Sequence, residues 1–232
     1  RMFETSMGFA LTVGAIAALI TYFGADFFAV KLFKSEASAI PLRVLAPTIF
    51  IFAIMGVLRG YFQGKNTVLP TSVSQILEQL VHVVVGLSAA VIFMSAKSDS
   101  PQASAYGAAG GTFGTLCGAV AALAFLAFVY AIYYPLLKRR LQRDKKSAKE
   151  QYQDLLKILL ITVFPIILNQ TLYSISGPLD SYLLNTVLSA KGLDEETRLI
   201  LWGRYSGKYR LMANVPIAIA SAIGVAVIPN IV

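Results

Sequence analysis

The chain has 232 residues, 56% of them hydrophobic and only 14% charged, and its mean hydropathy is +0.67. Soluble domains carry about 25% charged residues, so the composition is that of a membrane protein before any segment is considered. The formal net charge of +8 comes from basic residues placed in loops between apolar runs, which suits anionic headgroups and topology and not nucleic acid. One cysteine, Cys117, excludes both a disulfide framework and a cysteine-based metal site.

The sequence opens at Arg1, is apolar by Met7 and shows no signal-peptide pattern, and it stops at Val232 inside an apolar run. Both ends read as cut, so the chain is expected to be the middle of a longer protein. Crossing the hydrocarbon core takes about 20 apolar residues, and six stretches are read as crossings. The first covers roughly 7–28. Gly8, Gly14, Ala15, Ala17 and Ala18 keep it slim, and Asp26 is its one charge, near the end. The second covers about 40–62, with an uncharged centre of 44–58, and Arg43 and Arg59 are expected to snorkel to opposite interfaces. The turn at 64–69 is compact, which makes the second and third crossings expected antiparallel neighbours.

The third crossing starts at Pro70, a good first-turn residue, and continues to about 94. Ser72, Ser74, Gln75, Glu78, Gln79 and His82 make its first half unusually polar. The fourth lies within 105–134 and presents Gly110, Gly114, Gly118 and Ala122, a small residue every fourth position. Such a stripe lets another helix approach backbone to backbone. Static packing is its ordinary reading and a moving interface its functional one. The run 138–149 carries seven basic residues against Asp144 and reads as a cytoplasmic loop under the positive-inside rule, which places the Arg59–Lys65 turn on the same side.

The fifth crossing is read at 155–190, longer than one bilayer width and interrupted at Pro165 and at Gly177-Pro178. Broken helices in transporters often mark the substrate or ion path. Asn169, Tyr173 and the residues 176–180 fall at helical spacing and can share one face. Within the mixed-charge connector 191–210, residues 194–202 are expected to form an amphipathic interfacial helix. The sixth crossing, 211–232, is uncharged and contains Asn214, Pro216, Gly224 and Pro229, so it is expected to bend.

An ionisable pair inside a crossing is expensive and is a functional-site candidate by default. Glu78 and His82, four residues apart, stack on one helical face and together can hold a proton or accept a cation. The plain alternative is a polar clasp to a neighbouring helix. Arg59 is either an interfacial anchor or, facing a cavity, a phosphate ligand suited by its guanidinium geometry. Neither a nucleophile nor a magnesium-type cluster of acids falls within a crossing, which disfavours a membrane enzyme acting on polyprenyl phosphate. A purely structural subunit would leave Glu78 unexplained.

Residues 59–79, RGYFQGKNTVLPTSVSQILEQ, strongly resemble the RGYFQG…PT-x-x-SQ-x-x-EQ signature of SpoVB- and MurJ-type flippases. These belong to the multidrug/oligosaccharidyl-lipid/polysaccharide (MOP) superfamily. The last crossing, GKYRLMANVPIAIASAIGVAVIPNIV, looks like that family's helix with an N-x-P start and an I-P finish. The resemblance implies an all-α, MATE/MOP-like transmembrane bundle, of which this chain would supply the central six helices. Residues 1–137 would end the N-terminal lobe with four of them, 138–154 would be a basic cytoplasmic linker, and 155–232 would begin the C-terminal lobe with two.

It further implies alternating access around a cationic cavity and an undecaprenyl-linked sugar as substrate, lipid II being the leading case. The motif carries over to Arg59, Gly60, Gln63, Gly64, Pro70, Ser74, Gln75, Glu78 and Gln79, and to Asn214, Pro216 and Pro229. The substrate-binding candidates are Arg59, Gln63, Glu78, His82, Asn169, Arg210 and Asn214, and Asp180 is the candidate cation ligand. Na+ or H+ would be the coupling ion, and no catalytic residue, metal or other cofactor is expected. The full-length protein would work as a monomer among membrane lipids. Gram-negative relatives tend to have an acid near the position of Asn214; the amide here favours the Gram-positive, SpoVB-like branch. The alternative on the same fold is a cation-coupled multidrug antiporter of the MATE type.

Overall fold

The computed structural model describes residues 2–33, 35–65, 67–98, 100, 102–143 and 152–227, and every regular element among them is helical. Helix α1 (Met2–Phe23) is followed by the short α2 (Ala25–Phe27), a π-helical turn (Phe28–Leu32) and a 3-10 turn (Glu36–Ser38). Then come α3 (Ala39–Gln63), α4 (Leu69–Ala96), α5 (Ala103–Arg143), α6 (Tyr152–Ser174), α7 (Ser176–Ala190) and α8 (Glu195–Arg204). A second π-helical segment (Tyr205–Arg210) leads into α9 (Leu211–Val227). The chain forms two compact units, Arg1–Tyr173 and Ser174–Val232.

Among the described residues five stretches are long and apolar enough to cross a membrane: Met2–Phe23, Glu36–Gln63, Leu69–Ala96, Ala103–Pro135 and Asp154–Ala190. The expectation was six. The sixth is helical over Leu211–Val227, whose 17 residues fall short of the roughly 20 needed; residues 228–232, with Pro229, lie outside the described residues. Pro216 sits inside α9 without ending it.

Prolines also depart from expectation in the fifth stretch. Pro165 lies within a continuous α6, so the lost backbone donor is tolerated there. The break falls instead at Ile175, and Gly177 and Pro178 occupy the first turn of α7, where a missing N–H leaves no intrahelical bond unmade. The face expected to run from Asn169 to Asp180 is therefore divided between two helices. The basic run was expected to be loop from its start, but 138–143 continue α5 as helix; 144–151 lie outside the described residues.

In the first unit α5 is the central element. It packs along α4 and against α3, while α1 packs on α3. The expected direct pairing of α3 with α4 is confined to few contacts, because α5 packs extensively on both. Met55, Leu58 and Phe62 of α3 meet Ala122 and Leu126 of α5 to form the buried core. The rings of Phe3, Tyr61 and Tyr130 close one side of it, with centroids 5.1 to 5.4 Å apart.

The glycine stripe of α5 explains its closeness to α4. A Cβ on Gly110 would lie 2.5 Å from the Ala89 backbone, one on Gly118 would lie 2.6 Å from the Glu78 carbonyl oxygen, and one on Gly114 would overlap Gly86. Helix α4 accordingly has two faces. Thr71, Ser74, Gly86 and Ala89 are buried, whereas Ile76, Leu80, Val83, Val84, Leu87 and Val91 are exposed. An apolar exterior around a small and polar interior is the arrangement that lipid solvent favours, since it leaves polar groups facing protein.

In the second unit the expected amphipathic helix is present as α8. Its N-cap is Asp194, which accepts from the Thr197 N–H (3.2 Å) and from the Thr197 hydroxyl (2.6 Å). The Thr197 hydroxyl, and after it the Thr197 amide, hold this carboxyl below its ordinary value. Trp202, Tyr205 and Tyr209 follow each other with successive centroids 5.7 Å apart.

Candidate functional site

The turn after α3 is what brings the signature residues together. The N–H groups of Lys65 and Thr67 both donate to the Phe62 carbonyl at 3.1 Å, and Pro70 opens α4 in its first turn. This returns the chain so that Ser74 and Glu78, one helical turn apart, face Arg59. The Arg59 Nη2 donates to Glu78 Oε2 at 2.7 Å, and Nε donates to the Ser74 hydroxyl at 3.1 Å. Ser74 in turn donates to the Thr71 carbonyl at 2.7 Å. The Arg59 and Glu78 side chains are 18% and 12% exposed.

Two expectations change here. Arg59 does not reach away as an interfacial anchor; it is held between helices by an acid and a hydroxyl. Glu78 and His82 share a face, as their spacing requires, but they do not pair with each other. His82 Nε2 lies 3.2 Å from the Thr115 hydroxyl on α5, in hydrogen-bond contact. The reason is the glycine seam. Gly118 leaves the Glu78 carbonyl and the His82 Cβ in contact with α5, so each polar side chain finds a partner on a neighbouring helix. The polar clasp weighed for this face is what the geometry contains.

Arg43, also expected to snorkel, pairs with Asp26 at 2.6 Å, but these side chains are 47% and 65% exposed. An exposed pair of this kind contributes about 0–1 kcal/mol. The Arg59–Glu78 pair lies in a different regime, because removing one partner of a buried pair leaves an uncompensated charge.

The other candidates occupy plainer settings. Gln63 is exposed at the end of α3 and Asn169 is exposed on α6; Asn214 is exposed on α9. In the second unit Asp180 is half-buried on α7, and the half-buried Arg210 ends the π-helical segment. The Arg210 guanidinium lies against Gly177, where a Cβ would meet Nη1 at 3.1 Å. Gly177 thus makes room for it at the start of α7. Among the described residues no three His, Cys, Asp or Glu gather as a metal site.

Sequence reading missed Thr115, the role of Ser74 as an acceptor for Arg59, and Gly177 as the seat of Arg210. Thr115 was within reach. Once Gly114 is set against Gly86, the residue one turn before Gly86 on α4, His82, must lie near Thr115.

Helices of bilayer length with apolar exteriors, closed on an interior ion pair, define an integral multi-pass membrane protein. The chain belongs to the polysaccharide biosynthesis protein family, whose pattern it matches over residues 4–232. Stage V sporulation protein B of Bacillus subtilis (strain 168) is 34% identical over 105 residues, covering 44% of this chain and 19% of the relative. Lipid II flippase MurJ of the same organism is 30% identical over 102 residues, 40% of this chain and 19% of the relative. The uncharacterized membrane protein YabM is 35% identical over 83 residues, 34% of this chain and 15% of the relative. The matched segments thus span under a fifth of each relative's length. No solved structure matches the chain.

Proposed function

We propose that this chain is the central part of a flippase that moves an undecaprenyl-linked cell-wall precursor, lipid II or a polysaccharide repeat unit, across the membrane. One observation carries the reading: the family match runs from residue 4 to residue 232 and so takes in every membrane helix described above. The relative named lipid II flippase supports this substrate class. The activity is that of a carrier, which changes which face of the membrane the substrate occupies and makes or breaks no bond.

In this proposal the protein exposes the substrate path to each face of the membrane alternately, driven by membrane potential or by Na+ or H+. Arg210 offers a guanidinium to the pyrophosphate, since among the described residues it has no ion-pair partner. Arg59 is available to a phosphate only when its bond to Glu78 opens. Gln63, Asn169 and Asn214, all exposed, are available to sugar hydroxyls, and Asp180 is the candidate ligand for the coupling cation.

The test uses the complete protein in cells depleted of their own lipid II flippase, with lipid II quantified on the outer leaflet. Restored exposure is the expected result. A protein that is made and inserted yet exposes no lipid II would remove that substrate, and resistance to cationic dyes in the same cells would favour the multidrug antiporter instead.

A further inference from the structure

A cavity of about 740 Å3 opens between α1, α3 and α6, all within the first unit. Its walls are Phe3 and Phe9 of α1, Val57 of α3, and Leu159 and Val163 of α6, and its floor is the backbone at Gly56 and Gly60. A Cβ at either glycine would meet nothing within 4 Å, so the floor is flat and open. Among the described residues no acid lines this space. The ionised group among the described lining residues is Lys65, at the turn after α3, whose Nζ stands 5.5 Å from the centroid of the Tyr61 ring. Among the described residues Lys65 has no ion-pair partner.

An apolar trough with an uncompensated cation at one end is complementary to an anionic amphiphile. The size is that of a small-molecule site, about 300–1,000 Å3, which suits a stretch of hydrocarbon chain and not a whole glycolipid. We infer that this trough is the entry site for the polyprenyl chain of a polyprenyl phosphate lipid, whose phosphate meets Lys65 first. The inference rests on the flippase reading and deepens it, since it assigns the lipid end of the substrate to named residues of the first unit. The chain enters sideways from the bilayer, in which it is already dissolved. Lys65 then reads the phosphate, and the flat glycine floor lets the chain lie against the α3 backbone.

The test uses the complete protein in phosphatidylcholine nanodiscs, with undecaprenyl phosphate and undecaprenol as probes and bound lipid counted by native mass spectrometry. Gly60→Leu should lower undecaprenyl phosphate binding about tenfold by filling the floor. Lys65→Gln should lower it about fivefold and leave undecaprenol unaffected. Val57→Trp narrows the trough from its wall and serves as a second variant if Gly60→Leu is poorly produced. Undiminished binding in the trough variants overturns the inference. So does equal competition by phosphatidylglycerol, which would make the trough a site for bulk anionic lipid. Loss of a dimer in Gly60→Leu overturns it as well, because the trough would then be a seat for a second copy. Outer-leaflet exposure of lipid II, measured on the same variants, separates the two readings. Wild type that binds the probe but flips nothing sinks the flippase reading alone, and Gly60→Leu that flips normally sinks the trough alone.

Discussion

The glycines of α5 and those of α3 repeat at the same four-residue spacing and meet opposite surroundings. Gly110, Gly114 and Gly118 are covered by the backbone of α4, so closely that no side chain fits. Gly56 and Gly60 face open space, and Gly64 has only carbonyl oxygens of its own helix turn nearby. A glycine inside a helix lowers stability by roughly 0.5–1 kcal/mol relative to alanine. In α5 that loss is offset by the approach it permits, which brings Thr115 to His82 and sets Glu78 toward Arg59. In α3 no contact within the described residues offsets it. Spacing therefore reports the capacity for close approach, and the neighbour decides whether the capacity is used.

The widest gap between the two stripes should appear with a large side chain in the closed one. Gly114→Leu must push α4 and α5 apart and is expected to lower stability by about 3 kcal/mol or more, read as a fall in the detergent unfolding midpoint of the complete protein. An unchanged midpoint would mean that the seam opens freely and is a moving interface. Next comes the clasp that the seam positions. Glu78→Gln leaves Arg59 unpaired and is expected to remove about 2–3 kcal/mol, somewhat below the 3–5 kcal/mol of a wholly buried pair because these side chains keep some exposure. The double variant Arg59→Met/Glu78→Leu should recover most of that loss. Failure to recover would indicate that the two charges act separately.

The open stripe predicts a smaller change of the opposite sign. Gly60→Ala should raise the unfolding midpoint, by the equivalent of about 0.5–1 kcal/mol, since the new methyl meets nothing and the unfolded chain loses freedom. A destabilised Gly60→Ala would show that the trough is filled in the intact protein by something packed as tightly as α4. The smallest effect lies outside both stripes and serves as a control. Asp194 should titrate below the ordinary carboxylate value of 3.8, because Thr197 favours its charged form. Its cap contribution is thus present above the unfolded value and lost as pH falls through the lowered folded one. In an NMR titration, Thr197→Ala should move the midpoint upward, while Gly114→Leu should leave it in place.

Much of the helical scaffold was legible because its signals are local. The runs of apolar residues marked five crossings, Pro70 marked the start of α4, and the amphipathic pattern over 194–202 marked α8. The polar face holding Ser74, Glu78 and His82 followed from a periodicity that needs no third dimension. What escaped was partnership. Arg59 looked like an anchor because its own helix offers it no acid, and Glu78 looked like a partner for His82 because they are close along one helix. Both assignments changed once α5 approached α4 through Gly110–Gly118 and gave His82 a hydroxyl. Pro165 shows the converse case. A strong local breaker was overridden because the helix around it continues, whereas the break at Ile175 falls just ahead of the second expected interruption, Gly177-Pro178.

The separation of Arg59 from Glu78 is 19 residues, across a single turn, and this bears on how the protein is made. A lone ionised side chain entering the hydrocarbon costs on the order of 3 kcal/mol on an insertion scale, and α3 leaves the ribosome with its arginine ahead of the acid. Insertion of α3 and α4 as one hairpin lets the pair close during entry, so that the bilayer receives two charges already neutralised by each other. On this account the biosynthetic unit is the hairpin and not the single helix, and α3 is retained at the translocon until α4 has followed it.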